Sequence, residues 1–487
     1  MEINSLCAKL FNLLRAGLLI TCVFLYGCMD SPGSFETLED FHREFFTPEH
    51  IAELPADRPL TLQKAVETAL HNNPTNLAAA QSVSAARYGY LRALSAYAPE
   101  LNANYSLGHT LSRGWDLKNP PEGVMKRNDH LITAGSIQAS WLLFDGFARE
   151  LETIIAKQEY NKSRSLEKNV IRLLERAVAY AYYDMYLAGE EIIIYQEDLA
   201  FQNMALQQEE VRFRNGHVSK ASVLNFQILA ARARSNIRTA RYRRQVACHA
   251  LSALLGYAER KLPEEIKLQK VSAAHLYRIY DELYYLELAV AHRPDLQAEK
   301  IALRIAHREK QKAYADFFPQ FRFFSEFVLD TYDARYGGYR VSSARSRQGE
   351  FTYGVEGKWN IFRGFDTLNN VRRQKALEKV ALWGLNAKFL EVAAEVRDAV
   401  SNCQNFHYQV KIFGAMLQWV KEQRDLVFSE YRNGRETLPR LNEAQATLVE
   451  AQSLLIVSTI EYNKAIAQLA AAAGIRDPSL STAVKPL

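Results

Sequence analysis

The chain has 487 residues, with 60 Lys and Arg against 55 Asp and Glu, so a formal charge of +5 is spread thinly and no basic run marks a nucleic-acid surface. Hydrophobic residues make up 48% against 22 Gly and 14 Pro, which suits an ordered, helix-rich chain and excludes a low-complexity one. Of the 5 cysteines, Cys7, Cys22 and Cys28 sit near the start, and the remaining two exclude a disulfide scaffold or a four-cysteine metal site in the body.

The first element is a leader. Lys9 and Arg15 precede an apolar stretch from Ala16 to Tyr26, about 11 residues long, too short to span a bilayer and suited to an export signal over residues 1–27. Leu25-Tyr26-Gly27-Cys28 resembles a bacterial lipobox, which makes Cys28 the acylated first residue of the mature chain. The alternative is an ordinary secretory signal cleaved nearby, with Cys28 unmodified. Met29, rather than Asp, leaves sorting to the outer membrane open. Residues 28–60 then read as a lipid-anchored extension.

The body is one motif written twice. Pro74 recurs as Pro294 and Pro99 as Pro319, an offset of 220; after a surface loop the offset is 218, taking Trp141 to Trp359, Phe144 to Phe362, Gly146 to Gly364 and Gly216 to Gly434. The repeats cover 61–256 and 281–474, with a linker at 257–280 and a tail at 475–487.

Each repeat opens with a helix, Thr61 to Tyr97 and Asp281 to Phe317, closed by Pro99 or Pro319. Alternating strands follow, at about 100–110 and 132–144, then 320–330 and 350–362. Leu101, Ala103, Tyr105 and Leu107 alternate with polar residues, as do Phe321, Phe323, Phe327, Phe351, Tyr353 and Trp359. Polar loops are expected near Gly114–Lys126 and Thr331–Gly349.

Very long helices come next, at 148–213 and 366–432, with returning helices at 219–255 and 438–473. Leu174, Val178, Ala181, Met185, Ala188, Ile192, Tyr195 and Leu199 keep the four-three spacing of a coiled-coil seam, as do Leu441, Ala444, Leu448, Ala451, Leu455, Ser458, Tyr462, Ala465, Leu469 and Ala472. At about 1.5 Å per residue the first long helix extends about 100 Å, more than a globular core needs. Arg214-Asn215-Gly216-His217-Val218-Ser219 and Arg432-Asn433-Gly434-Arg435-Glu436-Thr437 join the long helices: glycine supplies positive φ, Ser219 or Thr437 can cap the return, and Pro439 after Leu438 fits a first turn.

Beyond the leader no apolar run is long enough for a transmembrane helix, so the half-apolar strands are the remaining way across lipid. Four strands cannot close a barrel; two chains give eight strands with a filled interior, and three give twelve with room for a lumen. A conduit favours three. The other reading is a half-exposed soluble sheet packed on helices. No G-x-G-x-x-G, Walker loop, G-x-S-x-G or H-E-x-x-H occurs, so no enzyme, cofactor or metal is expected. Glu190-Glu191 and Glu209-Glu210 read as solvated helix faces.

The repeated order of helix, strand pair and long helix pair, with Trp141-Leu142-Leu143-Phe144-Asp145-Gly146 and Trp359-Asn360-Ile361-Phe362-Arg363-Gly364, resembles the TolC-like outer membrane factors over about residues 58–476. The resemblance implies a mainly α chain with a transmembrane β-barrel portion. It forms a homotrimer whose twelve-stranded barrel continues into a periplasmic helical tunnel, with the linker at its equator. Implied partners are a periplasmic adaptor (membrane fusion protein), an inner-membrane pump and outer-membrane lipid. The two turns become adaptor-docking tips, at Arg214, Gly216, Val218, Ser219, Arg432, Gly434, Thr437 and Leu438. Among Glu422, Arg424, Asp425 and Glu430 near the second tip, Asp425 is the gate candidate, an inward carboxylate repeated three times; a solvated outer-face position is the alternative. A lipidated member points to small-molecule efflux; protein secretion, or a periplasmic scaffold without a pore, are the alternatives. Cys248 and Cys403 lie at similar heights, 32 residues after Gly216 and 31 before Gly434, but no disulfide between them is expected.

Overall fold

The computed structural model describes residues 59–116, 124–257, 266–271, 279–337 and 342–475, all within the unit Leu54–Leu487. The leader, Cys28, the extension to residue 58 and the tail from residue 476 lie outside the described residues. The first repeat contains α1 (Leu62–Asn72), α2 (Pro74–Ser95), β1 (Glu100–Asp116), β2 (Val124–Phe144), α3 (Ala148–Arg214) and α4 (Lys220–Leu254). The second contains α5 (Glu282–His292), α6 (Pro294–Lys312), a 3-10 turn at Ala315–Phe317, β3 (Gln320–Gly337), β4 (Ser342–Lys358), α7 (Asp366–Arg432) and α8 (Leu438–Ala473).

The single opening helix expected in each repeat is two. Asn73 and Arg293 both leave the helical region, with ψ of 122° and 119°, because Pro74 and Pro294 disfavour a helical residue before them and bring no N–H to continue the ladder. Each proline then takes the first position of the next helix, where that N–H is not needed. Asn73 Oδ1 accepts from Thr75 N at 2.9 Å and caps α2.

At the hairpins the strands outrun their expected ends, whereas β4 stops at Lys358, four residues short of the expected 362, where Trp359 begins the joint to α7. The β1–β2 ladder continues through Arg113↔Arg127 to Asp116↔Val124, and β3–β4 through to Tyr336↔Ser342. Once the register is set, backbone pairing carries on through residues whose composition suggests loop. All pairings are antiparallel in the order β1-β2-β3-β4, so β1 and β4 are open edges.

Long helices α3 and α7 have 67 residues each, about 100 Å. Toward the turns, the packing order is α4, α3, α8, α7; toward the sheet, α2 and α6 take the flanking positions beside α3. The wall is therefore four helical columns, two continuous and two made of stacked pieces. Near the turns all four helices share one core of Phe201, Ala205, Phe226, Val427, Leu441 and Ala444. At mid-height α5 lies over the α7–α8 seam through Tyr285 and Ala289, and Leu60 forms a parallel bridge with Leu268.

Candidate functional site: aromatic sheet, helical wall and turns

Register aligns the two faces of the sheet across all four strands. Ala103 faces Ile137, Ile137 faces Phe327 and Phe327 faces Phe351; one residue on, Asn102 faces Gln138, Gln138 faces Glu326 and Glu326 faces Thr352. Because side chains alternate, the first set forms one apolar surface and the second one polar surface. The apolar surface is uncovered: Leu101 is 73% exposed, Phe351 63% and Tyr353 70%. No helix among the described residues is long and apolar enough to cross a membrane, whereas this band is apolar and continuous.

Below the sheet, the repeated Trp-x-x-Phe-x-Gly-Phe segment builds the same joint twice. Trp141 Nε1 donates to the Tyr97 carbonyl at 2.9 Å, and Trp359 Nε1 to the Phe317 carbonyl at 3.1 Å, tying strand ends to the turns that follow α2 and α6. Gly146-Phe147 and Gly364-Phe365 all have positive φ, at 72°, 69°, 59° and 67°. A left-handed phenylalanine is disfavoured; here edge-on contacts at 5.5 Å with Phe144 and Phe362 offset it. Tryptophan at this level suits a membrane–water boundary.

The joints differ in what surrounds them. A Cβ on Gly146 would lie 2.7 Å from the Ala315 carbonyl oxygen, in the other repeat; a Cβ on Gly364 meets nothing. Gly364 lies at the open edge of the chain, beside β4 and the start of α7. Both outer helical columns show the same openness. On α7, Tyr408, Ile412, Trp419 and Leu426 are exposed, and on α4, Leu224, Ile228 and Tyr242 are too.

At mid-height each stacked column is joined where a helix C-terminus meets a proline break. Asn73 Nδ2 donates to the Leu254 carbonyl at 2.9 Å. Its repeat partner Arg293, 1% exposed, donates through Nη1 to the Ala472 carbonyl at 3.2 Å and through Nε and Nη2 to Asp295 at 2.9 and 3.0 Å. Glu395 lies 2.5 Å from Arg293, and Asp295 also meets Arg172 at 3.5 Å and Lys388 at 3.4 Å. Burial raises the Asp295 pKa, but hydrogen bonds from Arg293 and the charges of Arg293 and Arg172 overcome it, holding the carboxyl below its ordinary range. Arg172 is lowered, by burial first and then by Arg293. This network was missed in the sequence, although aligning Asn73-Pro74-Thr75 with Arg293-Pro294-Asp295 exposes two new charges beside the proline.

At the turns, Gly216 and Gly434 have φ of 76° and 71°, and the expected positive-φ reversal forms. His217 N donates to Arg212 O and Arg435 N to Glu430 O, both at 2.9 Å, closing the helix ends. The expected side-chain caps do not form: Ser219 and Thr437 have the extended cap conformation, but neither hydroxyl accepts a hydrogen bond from its helix. Arg214, Ser219, Arg432 and Thr437 are exposed; Val218 and Leu438 are half-buried, and Leu438 packs on the shared core. Asp425 is exposed and lies 3.1 Å from Arg424 Nη2. It is four heptads beyond Arg397, which faces Glu282 at the start of α5, whereas Glu430 stands five residues further on another face.

The two glutamate pairs are not simply solvated. Glu209 is 1% exposed and accepts from Arg212 at 3.1 Å; Glu191 is 8% exposed and bonds Arg243 at 3.2 Å. Burial first, then a hydrogen bond to Glu209, pushes the Tyr431 phenol up to about 12. Pairing lets these acids sit in the helix seams. Cys248 and Cys403 are buried and no disulfide joins them; two columns, α3 and α8, separate α4 from α7. Burial pushes the Cys403 thiol up to about 12.

The family model described as outer membrane efflux protein matches residues 65–257 and 285–475, one segment in each repeat. The alkaline protease secretion protein AprF of Pseudomonas aeruginosa is 23% identical over 445 residues, covering 86% of this chain and 85% of the relative. Among solved structures, CusC, whose description concerns transmembrane channel formation, superposes with a TM-score of 0.69 at 19% identity, over 92% of this chain and 96% of its own. The outer membrane protein VceC of Vibrio cholerae gives 0.68 at 17%, over 85% and 96%, and the CmeC outer membrane channel of Campylobacter jejuni 0.66 at 15%, over 85% of each. These likenesses concern the fold.

Proposed function

This chain belongs to the outer membrane efflux protein family, and from that membership we propose that three copies close into the outer-membrane channel of a tripartite efflux system. The observation that carries the proposal is that the elements at each open edge are repeat equivalents of elements already paired inside the chain. The β2–β3 pairing and the α3–α8 packing join repeat one to repeat two. By the same repeat relation, β4 and α7 of one copy meet β1 and α4 of the next, and a head-to-tail contact of this kind closes into a ring. Four strands per copy need three copies for twelve strands and a water-filled lumen.

Helix spacing supports this closure. Tyr408, Ile412, Ala415, Trp419, Glu422 and Leu426 run at four-three intervals on α7, as do Leu224, Ile228, Ala231, Ser235, Arg238 and Tyr242 on α4. Counted from Gly434 and Gly216, the rungs coincide: Leu426 and Leu224 at 8 residues, Trp419 and Ala231 at 15, Tyr408 and Tyr242 at 26. The large Trp419 meets the small Ala231, as close packing requires.

In this reading the apolar strand face meets lipid, the polar face lines the lumen, and the helical wall continues the bore through the periplasm. The chain acts as a passive conduit, without catalysis. Acylation at Cys28 adds an anchor. The turns around Gly216 and Gly434 receive a periplasmic adaptor that couples the channel to an inner-membrane pump. Cargo consists of small molecules, the class that a lipidated Cys28 points to, with selection among them left to the pump; the name of the relative AprF supports secreted protein as the second reading. A ring of tip carboxylates forms the gate, at Asp425 or on the other face at Glu430, and the one whose alanine variant weakens block by divalent cations is the gate residue.

The deciding experiment is reconstitution of detergent-extracted protein into planar bilayers. Discrete channel currents from a trimeric preparation are expected. A well-folded preparation that passes no current leaves a periplasmic scaffold as the function.

A further inference from the structure

The helical wall carries a cationic furrow for which the channel reading has no use. The belt of α1, α5 and the Leu60–Leu268 bridge adds a second layer at mid-height, and in the channel reading, on which this inference rests, the layered face is the outside of the tunnel. Tyr182 marks that face on α3, its hydroxyl donating to the Leu60 carbonyl at 2.9 Å. Asn161 and Lys168 precede Tyr182 by whole heptads and share its face.

Two adjoining cavities of about 470 and 320 Å³ open there, where α3, α6 and α7 meet, and share Gln158 and Arg304. Their walls include Arg164, Lys168, Arg304, Arg308 and Lys379 against one carboxylate, Glu378. That carboxylate is already engaged by Lys310 and His307, both at 2.7 Å, and the hydrogen bonds from Lys310 first and then His307 hold it below its ordinary range. Arg308 donates to Gln311 at 2.7 Å, and Arg164 lies 5.9 Å from the Tyr160 ring centre. Among the described residues, no carboxylate forms an ion pair with Arg164, Lys168, Arg304 or Lys379. Four cations on one open furrow repel one another and attract an extended anion.

Height selects among anions. Gln158 and Lys168 lie 10 and 20 residues into α3, about 15–30 Å below the sheet at 1.5 Å per residue. The polar layer of a bilayer leaflet is only about 5–8 Å thick. Lipid phosphates therefore sit too high, while a polymer of the periplasmic space lies level with the furrow. Guanidinium groups bind carboxylates through paired hydrogen bonds. We propose that this furrow binds the carboxylate-bearing peptides of the cell-wall glycan and anchors the tunnel where it crosses that layer.

Cosedimentation of the purified assembly with isolated cell-wall sacculi tests this. The native protein should sediment with the sacculi, less so as salt rises. R304E/K379E should lose binding by at least about ten-fold, and the milder R164Q/K168Q by less, while both conduct in planar bilayers like the native protein. Soluble glycan-peptide fragments should compete and glycerophosphate should not. Equal sedimentation of native and variant proteins overturns the proposal. So does competition by glycerophosphate alone, which assigns the furrow to lipid headgroups. Conductance on the same preparations separates the two claims: currents without wall binding sink the furrow only, and absence of currents from native protein sinks the channel.

Discussion

The two mid-height junctions answer one backbone problem with different chemistry. In both, a proline break receives the C-terminus of a long helix, and a glycine lets the chains touch: a Cβ on Gly256 would lie 2.8 Å from Asn72 O, and one on Gly474 2.9 Å from Arg293 N. In the first repeat, one neutral amide, Asn73, meets the helix-end carbonyl. In the second, a buried arginine does so and brings Asp295 and Glu395 with it, and Arg172 reaches from α3 to the same group. The neutral junction joins pieces of one repeat, while the charged one locks repeat one to repeat two. Duplication preserved the backbone contact and left the side chains free to specialise.

Substitutions that treat the junctions alike should therefore have unequal effects. Arg293→Leu removes the buried partner that Asp295 and Glu395 share, leaving Asp295 only its longer pairs with Arg172 and Lys388, and should cost about 3–5 kcal/mol in denaturant unfolding; a loss under 1 kcal/mol would mean that the network is solvated. Gly256→Ala and Gly474→Ala force positive φ and a close contact on a side chain, so each should cost about 1–3 kcal/mol. Their near equality would confirm a shared backbone solution, and a large inequality would break the comparison. Asn73→Ala removes one hydrogen bond to a carbonyl and should cost about 1 kcal/mol.

Acid should reveal the smallest difference. The folded-state pKa of Asp295 is depressed, so its contribution to stability is present above the ordinary aspartate value of about 4 and is lost as pH falls through the lower folded value. Between pH 5 and 3, native protein should lose more stability than Asp295→Asn measured against its own neutral-pH value. Parallel pH curves would show that Asp295 is not the sensor.

Much of this architecture was legible because it repeats. Trp141 and Trp359, Gly146 and Gly364, and Gly216 and Gly434 fixed the joints and turns, and the seam from Leu441 to Ala472 buries nearly as its spacing predicts. The split at Asn73 and Arg293 was hidden because apolar periodicity continues past proline, and only the backbone angle distinguishes a break from a tolerated first-turn residue. Burial of Glu209 and Glu191 was hidden for another reason: their partners Tyr431 and Arg243 come from other helices, so local charge pattern reads as solvent exposure. Lateral faces such as the Trp419 stripe read as apolar in sequence, but in the proposed channel what they meet depends on a neighbouring copy.

That neighbour is the central claim, and disulfide trapping tests it most directly. Trp419→Cys and Ala231→Cys stand at equal height on opposite edges of the protomer. Oxidation of the double variant in membranes should give covalent dimers and trimers and stop at three, while each single variant stays monomeric on a denaturing gel. Cross-linking of either single variant to itself, or a ladder continuing beyond three, would contradict the head-to-tail ring of three copies.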